Sequence, residues 1–329
     1  MAVTFGAVPK LLNGMAGGTS YLLQGIDGGC RVEIFDGDDG DILLGVKELR
    51  AGRSSQMLDV SRYAWRMVDV KPLTGASTAF ASMYGRVAMI YIDIYSFDPS
   101  VEWIRSPLCD LLIARERRAV GEELSSGPQG RPIAWDECDE LAMVCDGPHA
   151  EAICSAVFDG ELGELPVELA RGMTYKGLVA LHLNMADAQA KMILAGGSPE
   201  DFDTMTLLLQ LPNGQVMTRY YRIVDSAAQG RRVCWLNPFG AVDHFTFPVA
   251  QRSNVAPEGE ETLTLVSGYQ RRETLRWLMQ IVSAERVWMF DRATQSYERV
   301  DVMANNVELR EGLPEILTMS FRKRREGTL

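Results

Sequence analysis

The chain has 329 residues, of which 47% are hydrophobic and 23% charged, and its formal net charge is −11 at pH 7. This composition is typical of a folded globular protein, and the length favours two or three domains over a single core. An acidic chain has no general affinity for nucleic acid or anionic membranes, which attract basic surfaces. The N-terminus lacks the pattern of a secretory signal, and no apolar run is long enough to cross a bilayer. We therefore expect a soluble protein made in the cytoplasm, with no nucleic-acid partner and no membrane insertion.

Short strands separated by turn residues dominate the chain. RVEIF and ILLGV flank the turn DGDDGD and predict a hairpin over 31–46. TLLLQL and QVMTRYYRIV flank Asn213-Gly214 and predict a second hairpin over 205–224. Further strands are predicted at RVAMIYIDIYSF, ELAMVC, AEAICSAVF, LVALHLNM and TLTLVS. Regular strands with turns between them favour a mainly β protein built of tandem β-sandwich-like domains.

Helices are predicted at two places. LDVSRYAWRMV (58–68) favours a short helix capped by Asp59 or Ser61. The clearest helix is predicted over 271–282, and its apolar stripe consists of Leu275, Leu278, Met279 and Val282. A strand–turn–strand pattern, RVWMFD–ATQS–YERVDVM, follows directly. This order predicts a helix packed on a small sheet.

Two stretches favour domain boundaries because turn formers and charge replace apolar periodicity there: GEELSSGPQGRP (121–132) and SNVAPEGEE (253–261). We predict an N-terminal β-rich domain over 1–125, a central β-rich domain over 126–256 and a small α+β C-terminal unit over 257–329.

Metal ligands are sparse. The six cysteines form no CxxC pair and the three histidines are far apart, so we predict no zinc site, no disulfides and buried cysteines that serve for packing. The turn DGDDGD resembles a calcium loop at first, but the template requires Gly at position 6 and Glu at position 12, where this chain has Asp41 and Lys47. A solvated turn is the better interpretation.

Catalytic signatures are absent from the sequence. AGGSPEDFD (195–203) lacks the Lys-Ser/Thr ending of a phosphate loop, and Ser198 before Pro199 favours a helix N-cap instead. G-x-S-x-G, G-x-G-x-x-G and H-E-x-x-H do not occur. We therefore predict no catalytic residue, no cofactor and no enzyme.

Charge is distributed unevenly. Residues 132–170 contain ten acidic residues and no Lys or Arg. Near the C-terminus, Arg322, Lys323, Arg324 and Arg325 are contiguous. The sequence leaves two interpretations open. The first is a solvated acidic face and a solvated strand end. The second is a contact in which the basic cluster docks on acidic residues of a neighbouring subunit, namely Asp136, Glu137, Asp139 and Glu140.

The aromatic stretch WLNPFGAVDHFTFPV (235–249) could be a binding platform or a core hairpin. Asn237 to Gly240 has turn chemistry between two strands. Phe245 and Phe247 share one face of the second strand, where Trp235 of the first strand can meet them. We predict a core hairpin, with His244 on the opposite face.

The pattern W-L-N-x-x-G-x-x-D-x-F-x-F at 235–247 resembles a recurring segment of structural proteins from phages and prophages of gut anaerobes. The stretch Gly18 to Leu22 before the first hairpin is similar to theirs. So is the closing unit, SGYQRRETLRWLMQIVSAERVWMFD with YERVDVMANNVEL. The resemblance implies an uncharacterised tail-type structural protein without assigned catalytic residues. Its partners would be other structural proteins of the assembly or copies of itself, in a virion or injection machine.

Three functions follow from the sequence. The first is a structural or assembly protein of a phage tail, baseplate or related injection machine that acts through protein–protein contacts. The second is a β-sandwich module that binds glycan or another ligand through exposed aromatic side chains. The third is an enzyme whose site is built of scattered carboxylates. Exposed aromatics would favour the second, and perturbed carboxylates in a deep pocket the third.

Overall fold

A computed structural model describes residues 3–9, 19–38, 42–81, 84–112, 114–116, 118–145, 151–174, 178–211, 213–225, 230–253, 262–292, 294–303 and 315–323. The protein is mainly β, as predicted. Its strands are β1 Thr4–Ala7, β2 Ser20–Gln24, β3 Cys30–Asp36, β4 Leu43–Leu49, β5 Ser55–Asp59, β6 Ala79–Ala81, β7 Val87–Ser96, β8 Ile104–Arg105, β9 Cys109–Leu112, β10 Arg131–Ala134, β11 Cys138–Val144, β12 Glu151–Gly160, β13 Gly163–Met173, β14 Leu178–Asn184, β15 Thr204–Gln210, β16 Val216–Val224, β17 Arg231–Leu236, β18 Val242–Phe247, β19 Val249–Ser253, β20 Thr262–Gln270, β21 Val287–Asp291, β22 Ser296–Met303 and β23 Glu315–Lys323. The helices are α1 Ser61–Met67, α2 Met185–Leu194, α3 Arg272–Leu278 and α4 Gln280–Ser283, with 3-10 turns at Tyr84–Arg86 and Pro199–Asp201.

The chain forms two compact units, and it passes between them three times. Unit 1 comprises residues 1–71 and 83–119, and unit 2 comprises residues 72–82 and 120–329. The segment 72–82, which we name the strap, therefore leaves unit 1, contributes β6 to unit 2 and returns.

Unit 1 contains two antiparallel sheets. One has the order β4-β3-β7-β8, with β9 also paired to β7, and the other has the order β1-β2-β5. The predicted first hairpin is confirmed, since β3 and β4 pair from Cys30↔Leu49 to Phe35↔Leu43. The helix predicted over 58–68 is present as the shorter α1, but the predicted cap by Asp59 or Ser61 is wrong, because the N-cap is Val60 and makes no side-chain capping bond. Asp59 ends β5, and its Oδ1 accepts a 2.9 Å hydrogen bond from the Ser61 amide.

Unit 2 begins with a β-sandwich. A five-stranded sheet of order β10-β16-β15-β12-β13 faces a three-stranded sheet of order β11-β14-β6. The predicted second hairpin is β15 and β16, and Gly214 in its turn has a φ of 82°. The core between the sheets includes Ile133, Leu141, Phe158, Leu181, Leu207 and Tyr221.

Helix α2 follows β14 directly and was not predicted. Asn184 caps it, because its side-chain oxygen accepts a 3.1 Å hydrogen bond from the Asp187 amide. Ala188 and Met192 bury one face of the helix against the sandwich core. The strap docks beside this cap: Asn184 Nδ2 donates to the Gly75 carbonyl at 2.8 Å, and the Thr78 amide donates to Asp187 at 2.8 Å.

The rest of unit 2 is a seven-stranded sheet of order β18-β17-β21-β22-β23-β20-β19, covered on one face by α3 and α4. The helix predicted over 271–282 is present as two short helices that meet at Met279. Leu275 and Leu278 are buried as predicted. Val282 is exposed, whereas Trp277, which precedes Leu278 and was not assigned to the apolar stripe, is buried. Helix and sheet thus form an α+β layer.

The domain boundary predicted between 256 and 257 is wrong, because it divides the seven-stranded sheet. β19 lies before that boundary and pairs with β20 after it, from Val249↔Val266 to Ser253↔Thr262. β17 and β18 belong to the same sheet. The α+β layer therefore begins at β17, because strands on both sides of the predicted boundary complete one sheet. In the part of the chain that the structure describes, no helix is long and apolar enough to span a membrane.

Candidate functional site: a buried charge network

The predicted core hairpin at 235–247 is confirmed. β17 and β18 pair with Val233 opposite Phe245 and Trp235 opposite Asp243. Trp235, Phe245 and Phe247 are buried in one cluster, in which the Phe245 and Phe247 rings meet edge to face at 5.1 Å. Asn237 orders the turn, because its side-chain oxygen accepts hydrogen bonds from the amides of Phe239 and Ala241 at 2.9 and 3.1 Å.

Gly240 completes this turn with a φ of 85°, a conformation that favours glycine. Asn237 also donates from Nδ2 to the Leu124 carbonyl at 2.7 Å, which anchors the turn to the preceding loop. His244 lies on the face away from the phenylalanines, as predicted, and its ring packs edge-on against Tyr297 with centroids 5.8 Å apart. The aromatic stretch is therefore a core element and does not form an open platform.

Charged side chains from several strands meet inside unit 2. We name this group the charge network; its members are Glu123, Arg131, Glu137, Asp139, Arg219, Arg232 and Asp243. Arg232 lies at its centre, with Nη1 3.0 Å from Glu137 Oε2 and Nη2 3.7 Å from Asp139 Oδ1. Arg219 pairs with Glu123 and places Nη1 3.7 Å from Asp139 Oδ2. These contacts join β11 and β16 of the sandwich to β17 of the seven-stranded sheet.

Hydrogen bonds occupy further acceptor positions of the Glu137 and Asp139 carboxylates. Glu137 Oε1 accepts a 2.7 Å bond from Thr246, and its Oε2 accepts a 3.1 Å bond from the Ala134 amide. Asp139 Oδ2 accepts a 2.9 Å bond from the Tyr221 hydroxyl. Arg292 adds a further guanidinium 3.3 Å from Glu137. Buried charges require such pairing, because an unpaired ion in the interior loses its hydration without compensation.

A second part of the network surrounds Asp243. Trp277 Nε1 of α3 donates to Asp243 Oδ2 at 2.7 Å, and Ser125 donates to Oδ1. Arg131 of β10 lies 4.0 Å from Asp243, and its guanidinium stacks 4.4 Å from the centre of the Trp277 ring. This part connects the covering helix, the seven-stranded sheet and the sandwich.

Burial sets the electrostatics of the network. Burial raises the pKa of Asp139, although Arg232 and Arg131 oppose this effect. Burial alone would lower the pKa of Arg232, but Glu137 and Asp139 outweigh it and the net pKa is raised. Burial also raises the pKa of Tyr221, so its hydroxyl keeps the proton that it donates to Asp139. The arrangement is a buried ion-pair network, in which each carboxylate faces an arginine or a hydrogen-bond donor.

The acidic half of the predicted intersubunit contact is wrong. Glu137, Asp139 and Glu140 are buried, with 1%, 1% and 3% of their surface exposed, and only Asp136 of the four is partly exposed. The predicted solvated acidic face is likewise wrong at these three positions. The physical reason is that arginines distant in sequence neutralise Glu137 and Asp139 inside the same unit, while backbone amides satisfy Glu140. Glu140 accepts hydrogen bonds from the amides of Leu73 in the strap and Val242 in β18, both at 3.3 Å.

The basic half of that contact remains a prediction. Arg322 and Lys323 are partly exposed at the end of β23, where Lys323 pairs with Glu298 at 2.6 Å and Arg322 approaches Asp301 at 4.0 Å. Arg324 and Arg325 lie outside the described residues.

The sequence did not identify the arginines of the network. Their only signal is a charged residue placed among apolar neighbours in a strand, as for Arg219 in MTRYY and Arg232 in RRVCW. Such a residue is either exposed or paired, and a single sequence does not name its partner. The predicted acidic residues were therefore recognised as unusual but assigned to the surface.

The thiols are packing groups. All six cysteines are buried, as predicted. Burial raises the pKa of Cys138 to about 11 and that of Cys154 to about 12, which suppresses the reactive thiolate at neutral pH. Among the described residues, no group of three or more His, Cys, Asp or Glu side chains has metal-binding geometry. The turn after β3 is described only in part: Asp36 Oδ1 accepts a 2.9 Å hydrogen bond from the Asp38 amide, and residues 39–41 lie outside the description.

A cavity of about 360 Å³ opens on the seven-stranded sheet. Its lining includes the apolar side chains of Met289, Val300 and Phe321 and the cations Arg231 and Lys323. The Lys323–Glu298 pair lies within this lining, while Arg232 and Arg292 extend from it to the charge network. The cations of the lining are thus largely engaged in pairs.

No protein-family model and no curated protein matches the chain. Solved structures with weak similarity include a Dpr2 Ig1-Ig2 complex with DIP-Theta Ig1-Ig3, at 8% identity and a TM-score of 0.18, covering 69% of this chain and 100% of that chain. A marsupial T cell receptor structure matches at 9% identity and a TM-score of 0.19, covering 98% of this chain and 92% of that chain. At these scores the matches establish no shared fold. The class of the protein is defined by its own sheets: a mainly β protein with sandwich-like sheets and an α+β layer.

Proposed function

We propose that the protein is a structural or assembly protein that acts through protein–protein contacts, of the phage tail, baseplate or injection-machine type that its sequence pattern resembles. The observation that carries the proposal is the use of charge in unit 2. The carboxylates of the charge network are paired with arginines in the interior. These pairs connect the sandwich, the seven-stranded sheet and α3.

Charge burial of this kind favours rigidity and a unique arrangement over net stability. A buried ion pair often contributes no more than a well-packed apolar group, whereas removing one partner is costly. A part of an assembly must hold its shape under load from its neighbours. We interpret the network as a device that fixes the relative position of the layers of unit 2.

The strap supports the same interpretation. It crosses from unit 1 to unit 2 and back, and within unit 2 it is held by β6 pairing with β14 and by the contacts of Asn184 and Asp187. The enzyme alternative is less well supported, because the perturbed carboxylate Asp139 is paired with arginines.

Deletion and complementation test the proposal. The test uses cells that release particles whose genome also encodes this chain. Deleting the gene of this chain should abolish complete particles, and supplying the wild-type gene should restore them. Complementation with Glu137→Gln should restore fewer particles than the wild-type chain does. The particle yield should be proportional to the amount of variant protein that still folds. Normal particle yield and infectivity without the chain would contradict the proposal.

A further inference from the structure

One face of the larger sheet in unit 1 carries a row of aromatic and charged side chains. Cross-strand pairing sets Phe35 of β3 opposite Tyr91 of β7, and Glu33 opposite Asp93. Asp93 in turn lies opposite Arg105 of β8. Residues two apart in a strand share a face, so Tyr95 lies on this face as well, and its ring neighbours that of Trp103. We name this surface the aromatic sheet face; its members are Glu33, Phe35, Tyr91, Asp93, Tyr95, Trp103 and Arg105.

Its rings lie nearly parallel in two pairs. Phe35 and Tyr91 stack with centroids 5.0 Å apart and an interplanar angle of 11°. Tyr95 and Trp103 lie 6.0 Å apart at 22°, and they remain exposed by 37% and 53%. Aromatic side chains of this size gain substantially when they are covered, so an exposed near-parallel pair suits a flat apolar ligand surface.

Arg105 connects the two ring pairs. Its guanidinium lies 4.3 Å from the centre of the Tyr91 ring and 5.7 Å from that of Trp103. It also forms a bidentate pair with Asp93, with both nitrogen–oxygen distances at 2.8 Å. Asp93 is only 2% exposed, so Arg105 is fixed in orientation by a rigid partner.

The charges of this face are neutralised within it. Arg105 pairs with Asp93, and the adjacent Arg31 pairs with Glu33 at 2.6 Å. Burial raises the pKa of Tyr95, and the neighbouring Glu33 and Asp93 carboxylates raise it further, which keeps a neutral hydroxyl at the surface. Because both arginines are paired with carboxylates, the face presents no net positive charge to attract phosphate groups and does not suit a nucleic acid. A neutral ligand fits this charge balance best.

We propose that the aromatic sheet face binds a neutral saccharide. A pyranose ring presents an apolar surface of C–H groups, which would cover Trp103 and Tyr95, and a rim of hydroxyls, which would bond to the polar groups of Arg105 and Glu33. Few fixed polar groups beside an apolar surface are the usual composition of a small-ligand site. This proposal concerns unit 1 and is independent of the assembly function proposed for the whole chain.

The test uses the full chain on a broad array of neutral glycans, followed by calorimetric titration with soluble maltoheptaose, cellohexaose and mannohexaose. Trp103→Ala and Tyr95→Ala should weaken binding by about tenfold or more, since each removes a stacked ring. Trp103→Phe, which keeps a ring, should retain most of the affinity. Tyr269→Ala is the matched control, because Tyr269 is 75% exposed in unit 2 and distant in sequence from this face.

Each outcome decides the proposal. Binding that falls with Trp103→Ala and Tyr95→Ala but not with Tyr269→Ala supports it. Absence of binding across the array, or binding that the ring variants leave unchanged, overturns it. So does tighter binding to a single-stranded oligonucleotide than to any glycan. Loss of particle incorporation by Trp103→Ala without glycan binding would show that the face contacts a protein instead. Normal particle formation without this chain would contradict only the assembly proposal.

Discussion

Glu137 and Arg232 are 95 residues apart in the sequence, yet Oε2 of one lies 3.0 Å from Nη1 of the other with both side chains almost fully buried. The pair connects the segment before β11 to β17, and therefore the sandwich to the seven-stranded sheet. Thr246 contacts both members, at 2.7 Å from Glu137 and 2.9 Å from Arg232. The relationship between the two layers of unit 2 thus depends on a small number of charged contacts.

Replacing Arg232 with Met should lower the free energy of unfolding by about 3–5 kcal/mol, because it leaves Glu137 and Asp139 buried without their main counter-charge. Urea unfolding followed by circular dichroism measures this change. Arg171→Met is the matched control. Arg171 bridges Glu151 and Glu168 at 3.1 Å on an exposed surface, so its loss should cost less than about 1 kcal/mol. Equal effects of the two substitutions would refute the special role of the buried pair.

Replacing Phe247 with Ala should cost about 3–5 kcal/mol, since it empties a fully buried ring position in the α+β layer. The Phe247 ring contacts Phe245 and Phe321 edge to face, with centroids 5.1 and 6.2 Å apart. Thermal or urea unfolding measures the loss. Tyr269→Ala, at an exposed position, should leave the stability nearly unchanged. A stable Phe247→Ala variant would show that the hairpin is not part of the core.

Replacing Asn184 with Ala should destabilise the protein by about 1–2 kcal/mol through loss of the cap of α2. The substitution also removes the hydrogen bond to the Gly75 carbonyl, so the strap should become more accessible. Hydrogen exchange should show faster exchange in the strap and in the first turn of α2, and unchanged exchange in β21. Protection that stays the same in the strap would contradict its anchoring at Asn184.

His182 should make the stability depend on pH. Burial lowers the pKa of His182 below its usual 6.5, against the opposing effects of the Gly75 carbonyl, Glu140 and Asp139. The unfolded chain then binds a proton that the folded chain excludes, so stability falls as pH drops below about 6.5. His182→Gln should remove this slope between pH 6.5 and about 5, above the range where ordinary carboxyls titrate. Identical slopes in the two proteins would show that His182 titrates normally.

Local features of the fold could be predicted from the sequence. The hairpins β3–β4, β15–β16 and β17–β18 each have their turn residues and their alternating strands within about twenty residues. Helix α2 escaped prediction because MADAQAKMIL carries a weak apolar stripe and continues an apolar strand without a break. Its cap, Asn184, is also the last residue of β14.

Long-range features could not be predicted for a physical reason. An acidic residue in an apolar strand has the same appearance in the sequence whether it is solvated or paired inside, and its burial depends on whether the fold brings a cation to it. For Asp139 those cations are Arg219 and Arg232, which lie 80 to 93 positions away. The same holds for the aromatic sheet face, where Trp103 and Tyr95 acquire significance only through the pairing of β7 and β8.

The most direct test of the assembly function is the copy number of this chain in purified particles. Quantitative mass spectrometry of particles from cells that encode it, banded by density and calibrated against the major structural proteins, gives that number. A structural component should be present in a fixed, integral ratio to its neighbours that persists through repeated banding. Absence from the banded particles, or a ratio that falls with each purification step, would contradict the proposed function.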